Sequence, residues 1–393
     1  MSRNAYIILL IIISTAVFHG STVILRSNLH SPYFLSKELK TSEETLYEWN
    51  RSNEAPFKYR ILFKNIVEIV WKIASPDRTN QAFFYAYKIS NNIFYVSTIL
   101  LFFILLVRID LNPSKAFIGS LILMSLPPFL MAFSPPVHTR EDMLGYTILL
   151  GGILFIINKQ GWWLLPISII GVLCRETLLI LPLLYVFYGT DKSLIVRLSI
   201  LSASLITFIL VRLLIGYEYY NPLEGMQWNI ANPAQVIGFL FLTFGFLWLP
   251  FLNKIFTSRS YVNNQFISKS SRLALIIIIT TTFIGGIFNE IRLAFLLFPW
   301  VVLESYSYIV IHMSEIEKTI KSKSYQTYLL IAIIIFLPAA LYFFLYYQDF
   351  ITPSKFSISM ENWIILTLFN LFIMAIFVPI FIRIEIMKHN ITP

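Results

Sequence analysis

Long apolar runs recur along the whole chain and determine its fold class. The first run, Ala5 to Leu25, follows Arg3 and has no small-residue cleavage site before Arg26, so its length favours an uncleaved membrane helix over a signal peptide. Eleven further runs lie near 92–107, 116–134, 143–158, 162–173, 177–188, 194–215, 234–252, 273–288, 293–311, 326–347 and 362–382. This pattern predicts an all-α, polytopic transmembrane helical bundle with about 12 membrane segments.

Two of these runs, 162–173 and 177–188, are short for a hydrocarbon core that needs about 20 residues. They form either one span with Arg175 and Glu176 in its middle, or two half-helices that meet at a turn. The segment 253–272 contains four basic residues and no acid, which predicts a cytoplasmic location. A hairpin puts the other basic loops on that same side. We therefore predict the hairpin, with both termini cytoplasmic.

The first exoplasmic loop, residues 26–91, has a pattern of its own. Residues 60–74 place apolar side chains at helical spacing, opposite Lys64, Glu68 and Lys72. This pattern predicts an amphipathic helix lying in the membrane interface, and residues 81–91 predict a second short interfacial helix before the next span. The apolar face of the first one consists of Ile61, Leu62, Ile66, Ile69, Val70 and Ile73.

Composition excludes a soluble enzyme. Hydrophobic residues make up 57% of the 393 residues and charged residues only 13%, against about 25% charged in soluble domains. The net charge of +9 belongs to membrane-flanking loops and does not indicate a nucleic-acid partner. The chain has one cysteine, so it has no intramolecular disulfide. It shows no internal repeat and no linker, which predicts a single membrane domain over 1–393.

Four polar sites interrupt the apolar pattern, and the predicted topology places all of them on the exoplasmic side. Ionised groups at such helix ends and breaks need a partner or a watery cavity. The sites are Glu43, Glu44 and Glu48 followed by Pro56–Arg60; His138, Arg140, Glu141 and Asp142; Cys174, Arg175, Glu176 and Thr177; and Asn289, Glu290 and Arg292.

Each site also has a purely structural interpretation. The loop glutamates can form a solvated helix face. Arg175 with Glu176, and Glu290 with Arg292, can form ion pairs that satisfy each other. Acids such as Asp142 favour helix N-termini and can cap the fourth span. The histidines show no metal-ligand spacing, and the chain has no phosphate-binding loop and no serine-nucleophile turn.

The order of these motifs resembles the GT-C superfamily of polytopic membrane glycosyltransferases, in particular its small prokaryotic branch. The order is a first helix, a long loop with acids, the element PF-x-YR-x-L, an acid at the fourth span, an RE pair in an apolar hairpin and an NE-x-R step. These elements are Pro56 to Leu62, Asp142, Arg175–Glu176 and Asn289–Arg292. The resemblance covers residues 1–300, and 301–393 are variable C-terminal spans.

This resemblance implies inverting transfer of a sugar from a polyprenyl-phosphate donor to a glycan, lipid or protein acceptor on the exoplasmic face of the plasma (inner) membrane. It also implies that an acid of the first loop is the general base. Many relatives carry an aspartate close behind the first helix, whereas Arg26–Lys37 contains no acid. Glu44 is the nearest match, with Glu43 and Glu48 as alternatives.

Displacement at an anomeric carbon requires a carboxylate base and a cationic or metal clamp on the leaving phosphate. Arginine suits this clamp because guanidinium binds phosphate oxygens bidentately. Asp142, with His138 or Glu141, is instead a candidate site for a divalent cation (Mg or Mn). The residues do not decide between the two. The candidate substrate-binding residues are Tyr59, Arg60, His138, Arg140, Arg175, Glu176, Asn289, Glu290 and Arg292.

Two other classes share features with this chain. A secondary transporter also has about 12 spans and broken helices, but it usually shows an internal repeat and polar residues near the midplane. A flippase or polysaccharide polymerase of the cell-envelope pathway would carry its large exoplasmic loop late in the chain, whereas the long loop here comes first. A purely structural subunit gives no reason for four aligned polar sites.

Overall fold

The computed structural model describes residues 2–26, 57–74, 79–130, 141–218, 221, 223–257, 259–286, 288, 291–334, 338, 371 and 375–384. Every regular element within these ranges is a helix, which confirms the predicted all-helical fold class.

Six helices in the described ranges are long and apolar enough to cross a membrane. Shorter apolar helices accompany them, and this combination is that of a membrane-embedded protein. The predicted count of 12 segments is not confirmed. The six are Arg3–Gly20, Gln81–Arg108, Leu194–Ile215, Pro233–Thr257, Gln265–Gly285 and Arg292–Ile311, and the shorter ones are Asp142–Ile157, Gly161–Cys174, Glu176–Tyr188 and Ala375–Ile384.

Contacts divide the chain into two compact units. The N-terminal unit comprises Met1–Leu223 and Asn264–Ile277, and the C-terminal unit comprises Glu224–Asn263 and Ile278–Pro393. The longer helices of the first stretch are α1 (Arg3–Arg26), α2 (Ile61–Ala74), α3 (Asn80–Arg108), α4 (Pro113–Ser125), α5 (Asp142–Ile157), α6 (Leu164–Cys174), α7 (Ile180–Tyr188) and α8 (Leu194–Ile215), and a four-residue helix, Pro127–Leu130, follows α4. Short 3₁₀ helices at Phe57–Tyr59, Gly161–Trp163 and Glu176–Leu179 precede α2, α6 and α7.

The centre of the N-terminal unit is α3, whose 29 residues extend about 44 Å. Thr79 caps its first turn by accepting a hydrogen bond from Ala82. Its middle packs on α5, where the Thr98 and Thr147 hydroxyls lie 2.9 Å apart. Small hydroxyl residues of this kind hold membrane helices closely together.

Helix α2 forms at the predicted position and packs along the first turns of α3. The ring of Trp71 lies 5.4 Å from that of Phe83, and the ring of Phe63 lies 5.5 Å from that of Tyr87, both edge-on. These aromatic pairs fix the amphipathic helix to the end of a long membrane helix.

The predicted aliphatic face of α2 is not the side that packs on the protein. The buried side chains are Phe63, Val67 and Trp71, whereas Ile69 is 57% exposed and Ile73 is 79% exposed. The aromatic rings were left out of the predicted face because the spacing pattern weighed the aliphatic residues alone. Helix α2 is consequently apolar on a packed side and on an exposed side.

The predicted separate interfacial helix at 81–91 was also wrong. These residues are the first turns of α3, which continues without interruption to Arg108. The segment contains no glycine or proline, and its polar side chains bond back into the helix: the Ser90 hydroxyl donates to the Ala86 carbonyl at 2.8 Å.

The predicted hairpin is present. Its arms end at Arg175, whose extended backbone (φ −161°, ψ 130°) separates α6 from the 3₁₀ turn that opens α7. At the base of the hairpin, Asp191 accepts hydrogen bonds from the Gly161 amide at 2.8 Å and the Tyr185 hydroxyl at 2.7 Å. A Cβ at position 161 would lie 1.9 Å from that hydroxyl, so only glycine permits this approach.

The later helices are α9 (Leu223–Ala231), α10 (Pro233–Phe244), α11 (Trp248–Thr257), α12 (Gln265–Gly285), α13 (Ile291–Ala294), α14 (Phe298–Ile311) and α15 (Met313–Lys321). Asn264–Ile277, and with it the first part of α12, is assigned to the N-terminal unit. In the C-terminal unit, α14 is buried for most of its length.

Two buried polar side chains organise loops of the C-terminal unit. Glu304 on α14 accepts hydrogen bonds from the Ser260 hydroxyl at 2.9 Å and the Tyr261 amide at 3.0 Å, and Lys254 lies 3.7 Å away. The carboxylate thereby holds the loop that follows α11.

Asn229 on α9 performs the same function at the end of α12. Its Nδ2 donates to the carbonyls of Phe283 and Gly286, and its Oδ1 accepts from the Phe288 amide. One side chain therefore satisfies three backbone groups where a helix ends.

Candidate functional site

Three segments of the N-terminal unit meet through the side chain of Arg60. The guanidinium Nη1 lies 2.5 Å from the Glu141 carboxylate. Its Nε and Nη2 donate to the two oxygens of Glu176, at 3.1 and 2.5 Å. Arg60 precedes α2, Glu141 precedes α5 and Glu176 follows the hairpin break. The Arg60 guanidinium therefore binds one carboxylate that lies 81 positions further along the sequence and another that lies 116 positions further.

The second ion pair of this cluster is more deeply buried. The Arg175 Nη1 donates to Asp142, and both side chains are 1% exposed. Asp142 is the first residue of α5, and Arg175 lies at the hairpin break. The Nε and Nη2 atoms of Arg175 are buried and make no hydrogen bond to any described residue.

Arg175 and Glu176 therefore take different partners, and the structural interpretation that they pair with each other was wrong. The backbone explains this outcome, because consecutive side chains on an extended backbone point in opposite directions. Arg175 turns toward Asp142, and Glu176 turns toward Arg60. We define Arg60, Glu141, Asp142, Arg175 and Glu176 as the charge cluster.

The electrostatics of Arg60 follow from this arrangement. Burial alone would lower the pKa of its guanidinium, but the charges of Glu176 and Glu141 outweigh burial and raise the pKa well above its ordinary value. Arg60 is therefore a permanent cation here. Buried pairs of this kind are strongly destabilised when one partner is removed, because the other remains as an unpaired charge.

A rim of polar groups borders the cluster at Tyr59. The Tyr59 hydroxyl donates to the Gly216 carbonyl at 3.3 Å and accepts from the Glu218 amide at 2.9 Å. Lys58 pairs with Glu218 at 2.8 Å, and the hydrogen bond to that carboxylate raises the pKa of Lys58. The Arg212 guanidinium lies 4.7 Å from the centre of the Tyr59 ring, a cation–π contact.

The sequence prediction missed Arg212 and Glu218, and it included Lys58 only as part of the Pro56–Arg60 element. Arg212 had a usable signal, because it is one of two arginines, with Arg197, in a largely apolar span, where ionised residues are rare and face protein or water. The pairing of Lys58 with Glu218 had no sequence signal, because it depends on a contact between residues 160 positions apart.

The arrangement of the carboxylates is unfavourable for the predicted cation site. Glu141 and Asp142 are adjacent in sequence, but each engages a different arginine. Within the described ranges, no group of three histidine, cysteine or acidic side chains has the geometry of a metal site. The thiol of Cys174 is buried and donates to the Glu141 carbonyl at 3.6 Å.

The structure brings together parts of three of the four predicted polar sites. Of the fourth site, the described ranges include Arg292, which is buried in α13 of the C-terminal unit. The remaining predicted site residues lie outside the described ranges, so their roles stay predictions: Glu43, Glu44, Glu48, His138, Arg140, Asn289 and Glu290.

Comparison of the chain with protein-family models, curated proteins and solved structures finds no match in any of the three. Function is therefore inferred from the residues and geometry described above.

Proposed function

We propose that this protein is an integral-membrane glycosyltransferase that moves a sugar, with inversion, from a polyprenyl-phosphate donor to an exoplasmic acceptor. The acceptor is a glycan, a lipid or a protein. This proposal unites the sequence resemblance to the GT-C superfamily with the chemistry of the charge cluster.

The observation that carries the proposal is the pair of unsatisfied N–H donors on the Nε and Nη2 edge of Arg175. In Arg60 the Nε and Nη2 atoms bind both oxygens of a carboxylate. The same two atoms of Arg175 are buried and make no hydrogen bond to a described residue. Each buried donor left unsatisfied costs about 1–3 kcal/mol, so such atoms call for an explanation. Two parallel N–H groups match two phosphate oxygens, which a lipid-phosphate donor supplies.

Asp142 has a corresponding role. Its carboxylate accepts a hydrogen bond from the Nη1 of Arg175, so it positions the guanidinium without using the Nε and Nη2 donors. In this proposal Asp142 is a positioning residue, and the general base remains an acid of the first loop, with Glu44 favoured.

The length of the hairpin supports a site below the exoplasmic surface. Trp162 and Trp163, at the base of the hairpin, are 62% and 59% exposed, and the Lys192 ammonium lies 5.3 Å from the Trp162 ring centre. Tryptophan beside lysine is typical of a membrane interface. The 14-residue arm Gly161–Cys174 extends about 21 Å, so Arg175 stops about 10 Å short of crossing a core of about 30 Å.

At this depth, a donor bound to Arg175 would have its phosphate inside the protein, about 10 Å below the boundary of the hydrocarbon core, and its tail in the adjacent bilayer. The exposed isoleucines of α2 then face lipid beside the site, where a polyprenyl chain would approach. The proposed topology is that predicted from the basic loops, with about 12 segments, both termini in the cytoplasm and the cluster toward the exoplasmic side of the plasma membrane.

Arg175→Lys tests the proposal. Lysine keeps the charge next to Asp142 but loses the planar fork, so we expect polyprenyl-phosphate binding and sugar transfer to fall about 10- to 100-fold with thermal stability nearly preserved. Arg197→Lys is the matched control, because the Arg197 Nη1 donates to backbone carbonyls of Tyr185 and Val186, at the far end of the hairpin. The measurements are binding of a polyprenyl phosphate and transfer from its sugar conjugate in liposomes.

The outcomes separate the functional classes. If Arg175→Lys binds the lipid as tightly as Arg197→Lys does, Arg175 is not the phosphate clamp. If wild-type protein binds polyprenyl phosphate and moves it across the bilayer without transferring sugar, the protein is a flippase. If it binds no such lipid, the enzyme proposal fails.

A further inference from the structure

A cavity of about 460 Å³ lies between α1 and the first half of α3, within the N-terminal unit. A cavity of this size is in the range of ligand sites. Part of its lining is polar, which is unusual between two membrane helices. The lining residues are Thr15, His19, Tyr85, Lys88, Ile89, Asn92, Ile93, Val96 and Ser97.

The position of Lys88 places this cavity at the membrane surface. Lys88 and Arg108 are 20 residues apart on one continuous helix, and the intervening stretch contains no charged residue. Twenty residues of α-helix extend about 30 Å, the thickness of the hydrocarbon core. If Arg108 lies at one boundary of the core, Lys88 lies at the other, at the level of the lipid headgroups.

The cavity is also open to its surroundings. Tyr85, Ile89 and Ile93 line it and are 49%, 48% and 55% exposed. Successive turns of α3 therefore present a cation and a tyrosine at the headgroup level, and isoleucine and valine side chains toward the bilayer interior. This gradient matches a phospholipid, with its phosphate above and its acyl chains below.

Asn92 limits which lipid headgroups fit the cavity. Its Oδ1 is buried and makes no hydrogen bond to a described residue, so a ligand that brings an N–H or O–H group would satisfy it. The hydroxyls of Thr15 and Ser97 and the imidazole of His19 also line the cavity and supply further hydrogen-bonding groups.

We propose that this cavity is a binding site for an anionic phospholipid of the bilayer whose headgroup carries hydroxyls, as in phosphatidylglycerol. The phosphate pairs with Lys88, the headgroup folds back past the phosphate so that one hydroxyl donates to Asn92 one helical turn deeper, and one acyl chain follows Ile93 and Val96. The site is separate from the charge cluster and does not depend on the proposed transferase activity.

The test measures lipid retention by the purified full-length protein in detergent, using native mass spectrometry. The probes are phosphatidylglycerol and phosphatidylcholine of equal chain length, because the choline headgroup has neither N–H nor O–H. We expect wild-type protein to retain phosphatidylglycerol preferentially. Lys88→Gln should weaken this retention about tenfold, as expected for the loss of a charge-assisted contact.

Two further variants complete the experiment. Lys72→Gln removes an exposed lysine of α2 that does not line the cavity, and should retain phosphatidylglycerol as wild type does. Val96→Phe fills the cavity without changing the charge, and should also displace the lipid.

Any one of three results would overturn the proposal. The first is equal retention of both lipids by wild-type protein, a measurement that requires no variant to fold. The second is an equal loss in Lys72→Gln and Lys88→Gln, which would show attraction by net charge alone. The third is a polyprenyl phosphate that phosphatidylglycerol cannot displace and that Lys88→Gln releases, which would assign the cavity to the sugar donor.

Discussion

Replacing Arg60 by methionine should destabilise the protein more than replacing either of its carboxylate partners. Methionine fills the space of the arginine stem but leaves both glutamates without their cation. Glu141 is 2% exposed at its side chain and retains nearly the full penalty of an unpaired buried charge, whereas Glu176 is 25% exposed and is partly relieved by water. We therefore expect a loss of about 3–5 kcal/mol in the free energy of unfolding.

A second substitution shows whether the loss of stability in Arg60→Met comes from the unpaired carboxylates. Glu141→Gln added to Arg60→Met should recover part of the stability, and should recover more than Glu176→Gln does, because Glu141 is the more buried partner. Lys58→Met is the matched control. Its ion pair with Glu218 is half-exposed on the acid side and is worth about 0.2–1 kcal/mol.

The assay is equilibrium unfolding in detergent micelles, followed by tryptophan fluorescence, for each single variant and each double variant. A loss below about 1 kcal/mol for Arg60→Met, or a double variant less stable than Arg60→Met itself, would refute the idea that Arg60 neutralises buried carboxylates.

Three other expectations follow from the geometry. Lys192→Cys and Tyr217→Cys lie just beyond the two ends of the 22-residue α8, and a membrane-impermeant reagent should label only Tyr217→Cys from outside the cell. Labelling of both variants from one side would contradict the topology. Gly161→Ala should lower the free energy of unfolding by about 1–3 kcal/mol, and adding Tyr185→Phe should restore part of that loss by removing the clashing hydroxyl. An unchanged thermal midpoint for Gly161→Ala would show that the side chains at the hairpin base shift to accommodate the methyl group. Asn229→Ala leaves three backbone groups unsatisfied and should cost about 2–4 kcal/mol by thermal unfolding, whereas a change under 0.5 kcal/mol would mean that water replaces the amide.

The helical class could be predicted from local pattern, and the hairpin could be predicted because it places the basic loops on one side of the membrane. An apolar run of membrane-spanning length indicates a helix whatever the tertiary contacts of that helix are. The adjacent charges of Arg175 and Glu176, within an otherwise apolar stretch, mark a point where a buried helix is unfavourable, and the helix does break there.

The partners within the charge cluster could not be predicted, because they depend on packing between distant segments. Local spacing suggested that Arg175 pairs with its neighbour Glu176, but one extended residue reverses the direction of successive side chains. The role of Arg60 likewise depends on where α2 packs, and aromatic rings that the helical pattern did not count determine that position.

The unbroken helix α3 has a mechanical consequence. Its apolar stretch matches a bilayer of average thickness, so a thinner or thicker membrane changes its tilt. The aromatic contacts couple α2 to the first turns of α3, and Arg60 is the residue immediately before α2. We therefore expect a change of tilt to shift α2 and to strain the two ion pairs between Arg60 and the carboxylates of Glu141 and Glu176. The acyl-chain length of the surrounding lipids thus becomes a variable that acts directly on the charge cluster.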